Sequence, residues 1–476
     1  MARLAMIRAI ALTVLSFTMT AVSLRGQAIV PIGDACATTP HTPGCTIAET
    51  FGPGGLTVAV NPKFNHEAHF AGSFDVLFVQ TLNTAIATQL TALPTISPAS
   101  GFTWAYDPAT GAEVPEYRSF GPIFTERAET TGRGKVSFGA SQQRFRFSSI
   151  DGINLHSFPA VFRHCDTANV CQVGTTEPAY ENDFINTNNN LVLNFDETTA
   201  YGTLGLTDHL DVSVLMPFLS VRENITSAAT IEHVGTYVPF PGSPPVNVHS
   251  FCQNFTTPCI NKTFTNGGTS SGIGDLTFRL KQGLITDGPV RVAAALDVRT
   301  PTGSTRDLLG SGAWGVKPFL IVSVPKRISP HLNIGYEWNG RSLLAGDIAG
   351  QNIGSNFPIP SKGKLPNQFI YSIGVDTAIN KRLSASIDYL GLTLIDAPRV
   401  FQSSYETPGN PLYNVAGGAY PTISGGKDTI ATSTGSAGVK YKLYGNVLLT
   451  ANVLFRMDDI GLRQNFTPLL GLSYAH

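Results

Sequence analysis

Hydrophobic and polar residues alternate along most of the chain after its first quarter, with the period of two that β-strands produce. Within residues 274–297, Leu276, Phe278 and Leu280 alternate with polar residues before the turn dipeptide Asp287-Gly288 reverses the chain. One face of each such segment is apolar, and the other carries charges of both signs. In a soluble sandwich the apolar face would meet a second sheet, whereas in a membrane barrel it would meet lipid.

The spacing of these segments separates the two possibilities. We predict twelve strands, with boundaries good to a few residues. Their ranges are 134–148, 189–206, 210–224, 272–286, 289–301, 313–325, 331–343, 366–379, 382–397, 428–443, 446–459 and 465–476. Short turns alternate with longer connections, which fall at about 149–188, 225–271, 302–312, 344–365 and 398–427. This alternation is typical of an outer-membrane barrel with short periplasmic turns and long external loops.

Two further elements are predicted before the barrel, which we place at residues 119–476. Residues 1–28 read as a signal peptide, with a basic start, an apolar stretch at 9–24 and the cleavage site Gly26-Gln27-Ala28. Residues 29–118 follow as an N-terminal periplasmic or plug segment. A helix is predicted at 74–93, where apolar residues recur every three or four positions. The predicted fold class is therefore all-β: a transmembrane up-and-down antiparallel β-barrel with an N-terminal extension containing one helix.

Composition agrees with this fold and removes other classes. Lys+Arg is 32 and Asp+Glu is 33, for a formal net charge of -1, so the basic footprint of a nucleic-acid-binding protein is missing. Charged residues make up 14% of the chain, against about 25% in a typical soluble domain. The 47 glycines and 31 prolines argue against a mostly helical protein.

The six cysteines fall as three close pairs, which suits an exported protein. The pairs are Cys36 with Cys45, Cys165 with Cys171, and Cys252 with Cys259. Local pairing costs least chain entropy, so we predict three local disulfides. None of the spacings is the two to four residues usual between paired zinc-binding cysteines.

Two short motifs resemble a catalytic site and a metal site, but we predict neither catalysis nor metal binding from them. The segment 268–272, Gly-Thr-Ser-Ser-Gly, matches a nucleophile pattern that needs a strand-to-helix turn, whereas here a loop enters a strand. His66-Glu67-Ala68-His69 has its histidines three apart, whereas the zinc-binding helix motif needs four, and His41 lies nearby. A loose metal site is conceivable there, but a solvated loop is favoured. We expect no enzyme, no metal and no cofactor.

Several turn motifs carry a resemblance to a known family. Gly272-Ile273-Gly274-Asp275-Leu276, then residues 300–304 (Thr-Pro-Thr-Gly-Ser), 310–312 (Gly-Ser-Gly) and Lys317-Pro318 resemble bacterial outer-membrane proteins grouped under the "MetA pathway of phenol degradation". Residues 120–127 (Phe-Gly-Pro-Ile-Phe-Thr-Glu-Arg) resemble the segment leading into the first strand of related barrels. The resemblance implies a transporter akin to fatty-acid and aromatic-hydrocarbon channels.

The strand alternation also predicts which charged residues line the lumen. The candidates are Asp275, Arg279, Lys281, Arg291, Asp297, Arg299, Lys317, Glu337, Arg341, Asp376, Asp388, Lys440, Lys442 and Arg456. Polar lumen residues set the selectivity of a pore, and the alternative is a solvated wall in which the charges neutralise one another.

The expected function is an outer-membrane channel for passive uptake of small organic solutes, with the solute class resting on the resemblance. The alternative is a plugged structural or surface-binding barrel whose disulfide-stapled loops engage a partner. Expected partners are outer-membrane lipid, a small-molecule solute and the barrel assembly machinery, with no nucleic acid. The machinery usually reads a terminal aromatic residue, whereas this chain ends in Tyr474-Ala475-His476.

Overall fold

The computed structural model describes most of the chain from residue 42 onward. The described residues are 42–52, 55–61, 63, 66–70, 75–98, 103–107, 112–116, 119–165, 179–238, 240–346, 362–407 and 416–475. The signal peptide predicted at 1–28 lies outside them, as do Cys36, His41, Cys171 and His476.

The described residues form two α-helices, one short 3-10 helix and twenty-one strands. The α-helices are α1 (Pro43–Thr46) and α2 (Asp75–Ala92), and the 3-10 helix spans Ala179–Asn182. The strands are β1 (Thr103–Asp107), β2 (Ala112–Glu116), β3 (Val136–Phe147), β4 (Ser149–Ile150), β5 (Ile153–Asn154), β6 (Phe158–Arg163), β7 (Phe184–Gly205), β8 (Leu210–Glu232), β9 (Asn261–Ile273), β10 (Thr277–Ile285), β11 (Arg291–Arg299), β12 (Gly315–Ser323), β13 (Ile328–Asn339), β14 (Arg341–Ser342), β15 (Gly363–Lys364), β16 (Asn367–Asn380), β17 (Leu383–Thr407), β18 (Gly418–Tyr444), β19 (Val447–Arg456), β20 (Leu462–Arg463) and β21 (Phe466–Ala475).

Twelve of these strands close into an antiparallel barrel. They are β3, β7, β8, β10, β11, β12, β13, β16, β17, β18, β19 and β21. The circle closes because β3 pairs with the last strand, β21, on one side and with β7 on the other. All twelve predicted strands are present, most of them within a few residues of their predicted bounds, so the predicted fold class is confirmed. The predicted hairpin at Asp287-Gly288 joins β10 to β11, and Gly288 has the positive φ of 96° that such a turn needs.

Two of the predicted long loops are partly strand, which corrects the sequence analysis. In the predicted loop 225–271, β8 continues to Glu232 and β9 begins at Asn261, pairing with the upper part of β8. In the predicted loop 398–427, β17 continues to Thr407 and β18 starts at Gly418. These extensions were missed because their outer faces are polar, whereas the prediction looked for the apolar outer face of a membrane strand.

An apolar band surrounds the barrel. Its exposed side chains point outward from almost every strand: Phe138, Val214, Met216, Phe218, Phe278, Leu280, Leu296, Val316, Leu320, Ile334, Trp338, Phe369, Ile373, Val375, Ile387, Val439, Leu449, Val453, Phe455, Leu470 and Leu472. Such a band matches the hydrocarbon region of a bilayer. Aromatic pairs also lie on this face, with the Tyr336 and Trp338 ring centroids 5.1 Å apart.

The polarity of the wall reverses along single strands. In the first part of β8 the outward residues Val214 and Met216 are exposed and apolar, and the inward Ser213 is polar. Beyond Phe218 the outward positions include Arg222, and Leu219 and other apolar residues point inward. The barrel therefore continues beyond the lipid band as a wall whose outer face meets water and whose inner face is mostly apolar, with Glu223 and Ser227 as buried polar exceptions.

Helix α2 lies inside this apolar upper section, and its bounds agree with the predicted 74–93. Leu82 and Ile86 are fully buried in one cluster with Phe145, Leu193 and Val221, which point inward from the wall. The cluster also takes in apolar residues of the long connections, so the helix sits at the loop end of the barrel rather than outside the short turns. Among the described residues, no helix is both long and apolar enough to cross a membrane.

One predicted disulfide is described in full. Cys252 and Cys259 are joined, within the connection between β8 and β9. Cys45 and Cys165 each belong to a further disulfide. Their predicted partners, Cys36 and Cys171, lie outside the described residues, so those two pairings stay predictions.

The orientation of the barrel can be tested with inserted epitopes. Pro244 is exposed in the connection after β8, and Gly288 is exposed in a tight turn at the opposite end. We expect antibody to label intact cells carrying an epitope at Pro244 and to label the Gly288 insertion only after permeabilisation. The reverse labelling would mean that the long connections face the periplasm.

Candidate functional site

The segment just before β3 crosses the interior of the barrel near the short turns. The backbone N–H of Phe120 donates to Ser384 Oγ at 3.1 Å, and that of Ala128 donates to Ser323 Oγ at 2.9 Å on another part of the wall. Thr131 N–H then donates to Asp211 Oδ2 at 2.9 Å. Residues 119–131, hereafter the lead-in, are thus fastened to the inner faces of several strands.

A charged network holds the middle of the lead-in. Glu126 is 3% exposed, and its carboxylate lies 2.7 Å from Arg279 Nη1 and 3.3 Å from Lys281 Nζ. Arg279 also forms a two-pronged contact with Asp297 at 2.7 and 2.8 Å. Lys317 Nζ lies 2.9 Å from Asp297 on its other side. Each charge in this group therefore has an opposite charge beside it, as buried charges require.

A second group fastens the start of the lead-in. The ammonium group of Lys440 donates to three successive carbonyl oxygens, those of Phe120, Gly121 and Pro122, at 3.2, 3.0 and 2.5 Å. Asp388 accepts from the hydroxyl of Thr125 at 2.5 Å. A lysine that caps three carbonyls can be buried because all three of its N–H donors are used.

The turn motifs that carry the family resemblance meet at Asp275. Its carboxylate accepts from the backbone N–H groups of Gly303 at 3.0 Å and Ser311 at 2.8 Å. Arg299 lies 3.4 Å away and also contacts Glu337 at 3.1 Å. The connection between β11 and β12 is therefore folded back onto the barrel mouth. A Cβ at Gly310 would overlap Asp275 Oδ1, which explains why glycine stands there.

The structure places the predicted lumen residues in three groups. Nine are buried inside the barrel: Asp275, Arg279, Lys281, Asp297, Arg299, Glu337, Asp376, Asp388 and Lys440. Four are half-buried on the inward side of their strands or just beyond them: Arg291, Lys317, Lys442 and Arg456. Arg341 is exposed and belongs to β14, because β13 ends at Asn339 and the alternation was carried past that end.

Glu126 and two other polar groups of the interior were missed by the sequence analysis. Asn333 bonds both backbone groups of Glu126, at 2.7 and 2.9 Å. His331 lies 2.5 Å from Asp376, with Ser323 at 2.8 Å on its other ring nitrogen. The sequence motif at 120–127, which contains Glu126, could have pointed to this residue. However, no local pattern predicts that the motif enters the barrel.

A cavity of about 210 Å³ lies between the C-terminal part of α2 and the wall formed by β12, β13, β16, β17 and β18. One side is apolar, with Ile370, Leu390 and Leu392 pointing inward. The other side carries Arg279 and Lys317, both already paired with Asp297. The cavity therefore offers apolar surface and hydrogen-bonding groups without a free charge.

A second cavity of about 90 Å³ lies against β8, β10 and β11. It shares Arg279, Lys317 and Glu337 with the larger one, so the two are neighbours around the tip of the helix. Together they are the candidate solute path.

The nucleophile-like motif lies inside β9 rather than at a strand-to-helix turn. Ser270 donates its hydroxyl to the carbonyl of Asp307 at 2.6 Å, which ties β9 to the connection after β11. The motif thus has a structural hydrogen-bonding role in the sheet.

Titratable groups gather at the opposite, external rim. Burial opposes ionisation of Asp183, but hydrogen bonds from His233 and His249 lower its pKa below the ordinary value. Contact with His164 lowers the pKa of Glu181. Burial, together with the imidazoles of His249, His164 and His69, lowers the pKa of His66 to about 3. The rim therefore pairs two carboxylates with histidines.

The family resemblance is confirmed over the central part of the chain. Residues 172–391 match the family model described as "Putative MetA-pathway of phenol degradation". This range begins before β7, ends in β17 and contains Asp275 together with the motifs at 300–304 and 310–312 that donate hydrogen bonds to it. None of the curated proteins matches the sequence of the chain.

Solved structures with similar folds include outer-membrane channels and porins. A channel from Pseudomonas putida F1 is 12% identical, with 73% of this chain and 98% of that chain covered and a TM-score of 0.37. The NanC porin is 8% identical over 71% and 98%, with a TM-score of 0.32. The TodX deltaS2S3 mutant monoaromatic hydrocarbon channel is 9% identical over 73% and 91%, with a TM-score of 0.30. These similarities are too distant to say anything about a solute.

The charged network should make Arg279 important for stability. Changing Arg279→Met leaves Glu126 and Asp297 with fewer counter-charges, and we expect unfolding free energy to fall by about 3–5 kcal/mol. Urea unfolding of the purified protein in detergent, followed by tryptophan fluorescence, measures this. The matched control is Arg382→Met, at an exposed turn position, expected to change stability by less than about 0.5 kcal/mol. Equal stability of the two variants would contradict the network's role.

Proposed function

We propose that the chain is an outer-membrane channel for passive uptake of small organic solutes, partly plugged by its own N-terminal segment. The observation that carries this proposal is the cavity beside α2, which is apolar on one side and polar on the other. Ligand sites in proteins have this mixed lining, with a few polar groups fixing orientation.

The chemistry of the cavity favours uncharged solutes, including aromatic ones. Arg279, Lys317 and Glu337 line it, and each is already within 3.1 Å of an opposite charge. A charged solute would have to compete with these pairs, whereas a neutral solute needs only apolar contact and hydrogen bonds. The family resemblance, with its description of phenol degradation, supports the same class.

The plug follows from the placement of two segments. Helix α2 occupies the upper interior, and the lead-in crosses the lower interior. Solute passage would run along the side of the helix, through the cavities. We propose that residues 29–118, which contain α2, are the plug segment and that the lead-in at the start of the barrel region narrows the interior below it. We also propose that residues 1–28 direct export to the bacterial outer membrane, and that lipid and the barrel assembly machinery are partners.

A second candidate is a closed scaffold that binds a partner at its rim. The specific observation in its favour is that the interior is occupied and that the connection after β8 is stapled by Cys252–Cys259. Single-channel recording in planar bilayers distinguishes the two, since a scaffold would not conduct.

Filling the cavity should block the channel. Leu392 points inward from β17 into the cavity, so Leu392→Trp should cut the flux of a small neutral aromatic into proteoliposomes by about tenfold, because the bulkier indole would extend into the space beside α2. The control is Thr393→Trp, whose side chain points outward from the same strand. Equal flux in both variants would place the solute path elsewhere.

Removing the helix should open the channel. A chain lacking residues 29–93, with the signal peptide kept, retains every barrel strand. We expect larger single-channel conductance than in the full chain and greater sensitivity of cells to bulky antibiotics. Folding is checked by the heat-dependent mobility of the barrel on gels. If both forms fold and conduct equally, the helix is not the restriction.

A further inference from the structure

Four histidines from distant parts of the chain meet at the external rim. His66 and His69 belong to the N-terminal segment, His164 follows β6, and His249 lies in the connection between β8 and β9. The side chain of His66 is 11% exposed, and those of His164 and His249 are 1% and 0% exposed. The segment 66–69 is therefore only partly solvated, since Glu67 and Ala68 are exposed, whereas the rings of His66 and His69 contact residues more than 90 positions away.

One nitrogen of each ring faces the centre of the cluster. His66 Nδ1 lies 3.0 Å from His249 Nε2 and 3.2 Å from His164 Nε2. His69 Nδ1 lies 3.1 Å from His164 Nε2. Imidazole nitrogens bound to one tetrahedral zinc ion at about 2.0–2.1 Å would be roughly 3.3–3.4 Å apart. The three observed separations are close to that length, and the ligand atoms of His66, His69 and His164 all lie within 4.8 Å of one another.

Carboxylates hold the outer nitrogens of two of these rings. His249 Nδ1 donates to Asp183 Oδ2 at 2.8 Å, and His164 Nδ1 lies 3.1 Å from Glu181 Oε2. Asp183 is itself fixed, since its other oxygen accepts from the backbone N–H of Val234 at 2.7 Å. A carboxylate at Nδ1 selects the tautomer whose proton is on that nitrogen, so the Nε2 atoms of His164 and His249 present lone pairs.

This tautomer assignment leaves the centre rich in lone pairs. The Nδ1 of His66 faces both Nε2 atoms, and a neutral ring carries at most one hydrogen there. It can therefore donate to one of them and not to both. A cation bound there would take one lone pair from each of His66, His69 and His164, and His249 Nε2, 3.0 Å from His66 Nδ1, lies next to them as the fourth ligand. Imidazole nitrogens are the ligands that zinc and neighbouring transition metals prefer.

An apolar residue closes one side of the cluster. Phe70 is fully buried, and its ring packs edge-on against His164 at 5.2 Å and His249 at 5.0 Å between centroids. Such a shell restricts solvent and holds ligand rings in place.

We propose that His66, His69, His164 and His249 form a zinc site, with Asp183 and Glu181 orienting the rings of His249 and His164. Two ligands come from the N-terminal segment and two from the barrel rim. The ion would therefore fasten the segment that leads into α2 to the wall. This site is independent of the nature of the solute.

Zinc titration of the full-length protein tests the site. The protein is treated with a chelator, dialysed and titrated with Zn²⁺ in competition with a chromophoric chelator. We expect one tightly bound zinc per chain. His249→Gln should weaken binding by about 100-fold or more, and Glu181→Gln by about 10- to 100-fold, the usual loss for an orienting partner. Co²⁺ in place of zinc should give the strong visible absorption of a tetrahedral site in the wild type and not in His249→Gln.

Matched controls separate this site from surface binding. His156→Gln and His209→Gln change exposed histidines outside the cluster and should leave affinity unchanged. If His249→Gln does not fold, as judged by heat-dependent gel mobility, His69→Gln serves instead, since that ring is less buried. The proposal is overturned if the wild type binds no stoichiometric zinc, or if the folded cluster variants bind it as tightly as the wild type.

Discussion

The structure depends on the need to neutralise charge inside a barrel that faces lipid. Charges pointing inward at membrane level cannot reach bulk water easily, so each must find a partner in the interior. Arg279 and Lys281 find one in Glu126, which does not belong to the wall at all. The lead-in is therefore part of the electrostatics of the barrel, and the barrel interior is built around it.

The reversal of polarity along the strands explains where the helix sits. Helix α2 has the buried apolar residues Leu82 and Ile86, which would find no partner in the charged lower lumen. In the upper section the inward face of the wall is apolar and the outward face meets water. Burial of apolar side chains favours the helix in that section. Hydrogen bonds and ion pairs hold the lead-in in the lower section, so the two sections of the interior are filled by different interactions.

The rim combines covalent and non-covalent links between segments distant in sequence. The bond Cys252–Cys259 and the carboxylate Asp183 both shape the connection after β8, which also carries His249. His66 and His69 approach from the N-terminal side. A long connection without a hydrophobic core of its own is held in one conformation by such links. In the proposed orientation, the same links position the residues that face the outside of the cell.

Much of the fold was determined by the sequence alone. The period-two pattern predicts twelve strands. Each strand faces lipid on one side and a polar lumen on the other, so apolar and polar residues must alternate along its sequence. The Asp287-Gly288 hairpin and the helix at 74–93 are likewise local. Nine of the fourteen predicted lumen residues are buried in the interior, because their direction follows from the parity of the strand. Arg341 departs from the rule because its strand had already ended.

Only the tertiary structure decided what fills the barrel and what meets at its rim. The upper strand extensions have polar outer faces, so their pattern resembles a loop when lipid is assumed outside. Glu126 pairs with Arg279 across 153 residues, and His66 meets His249 across 183. No local pattern encodes such meetings, because they depend on strand register, barrel closure and the path of the N-terminal segment, which exist only once the whole chain has folded.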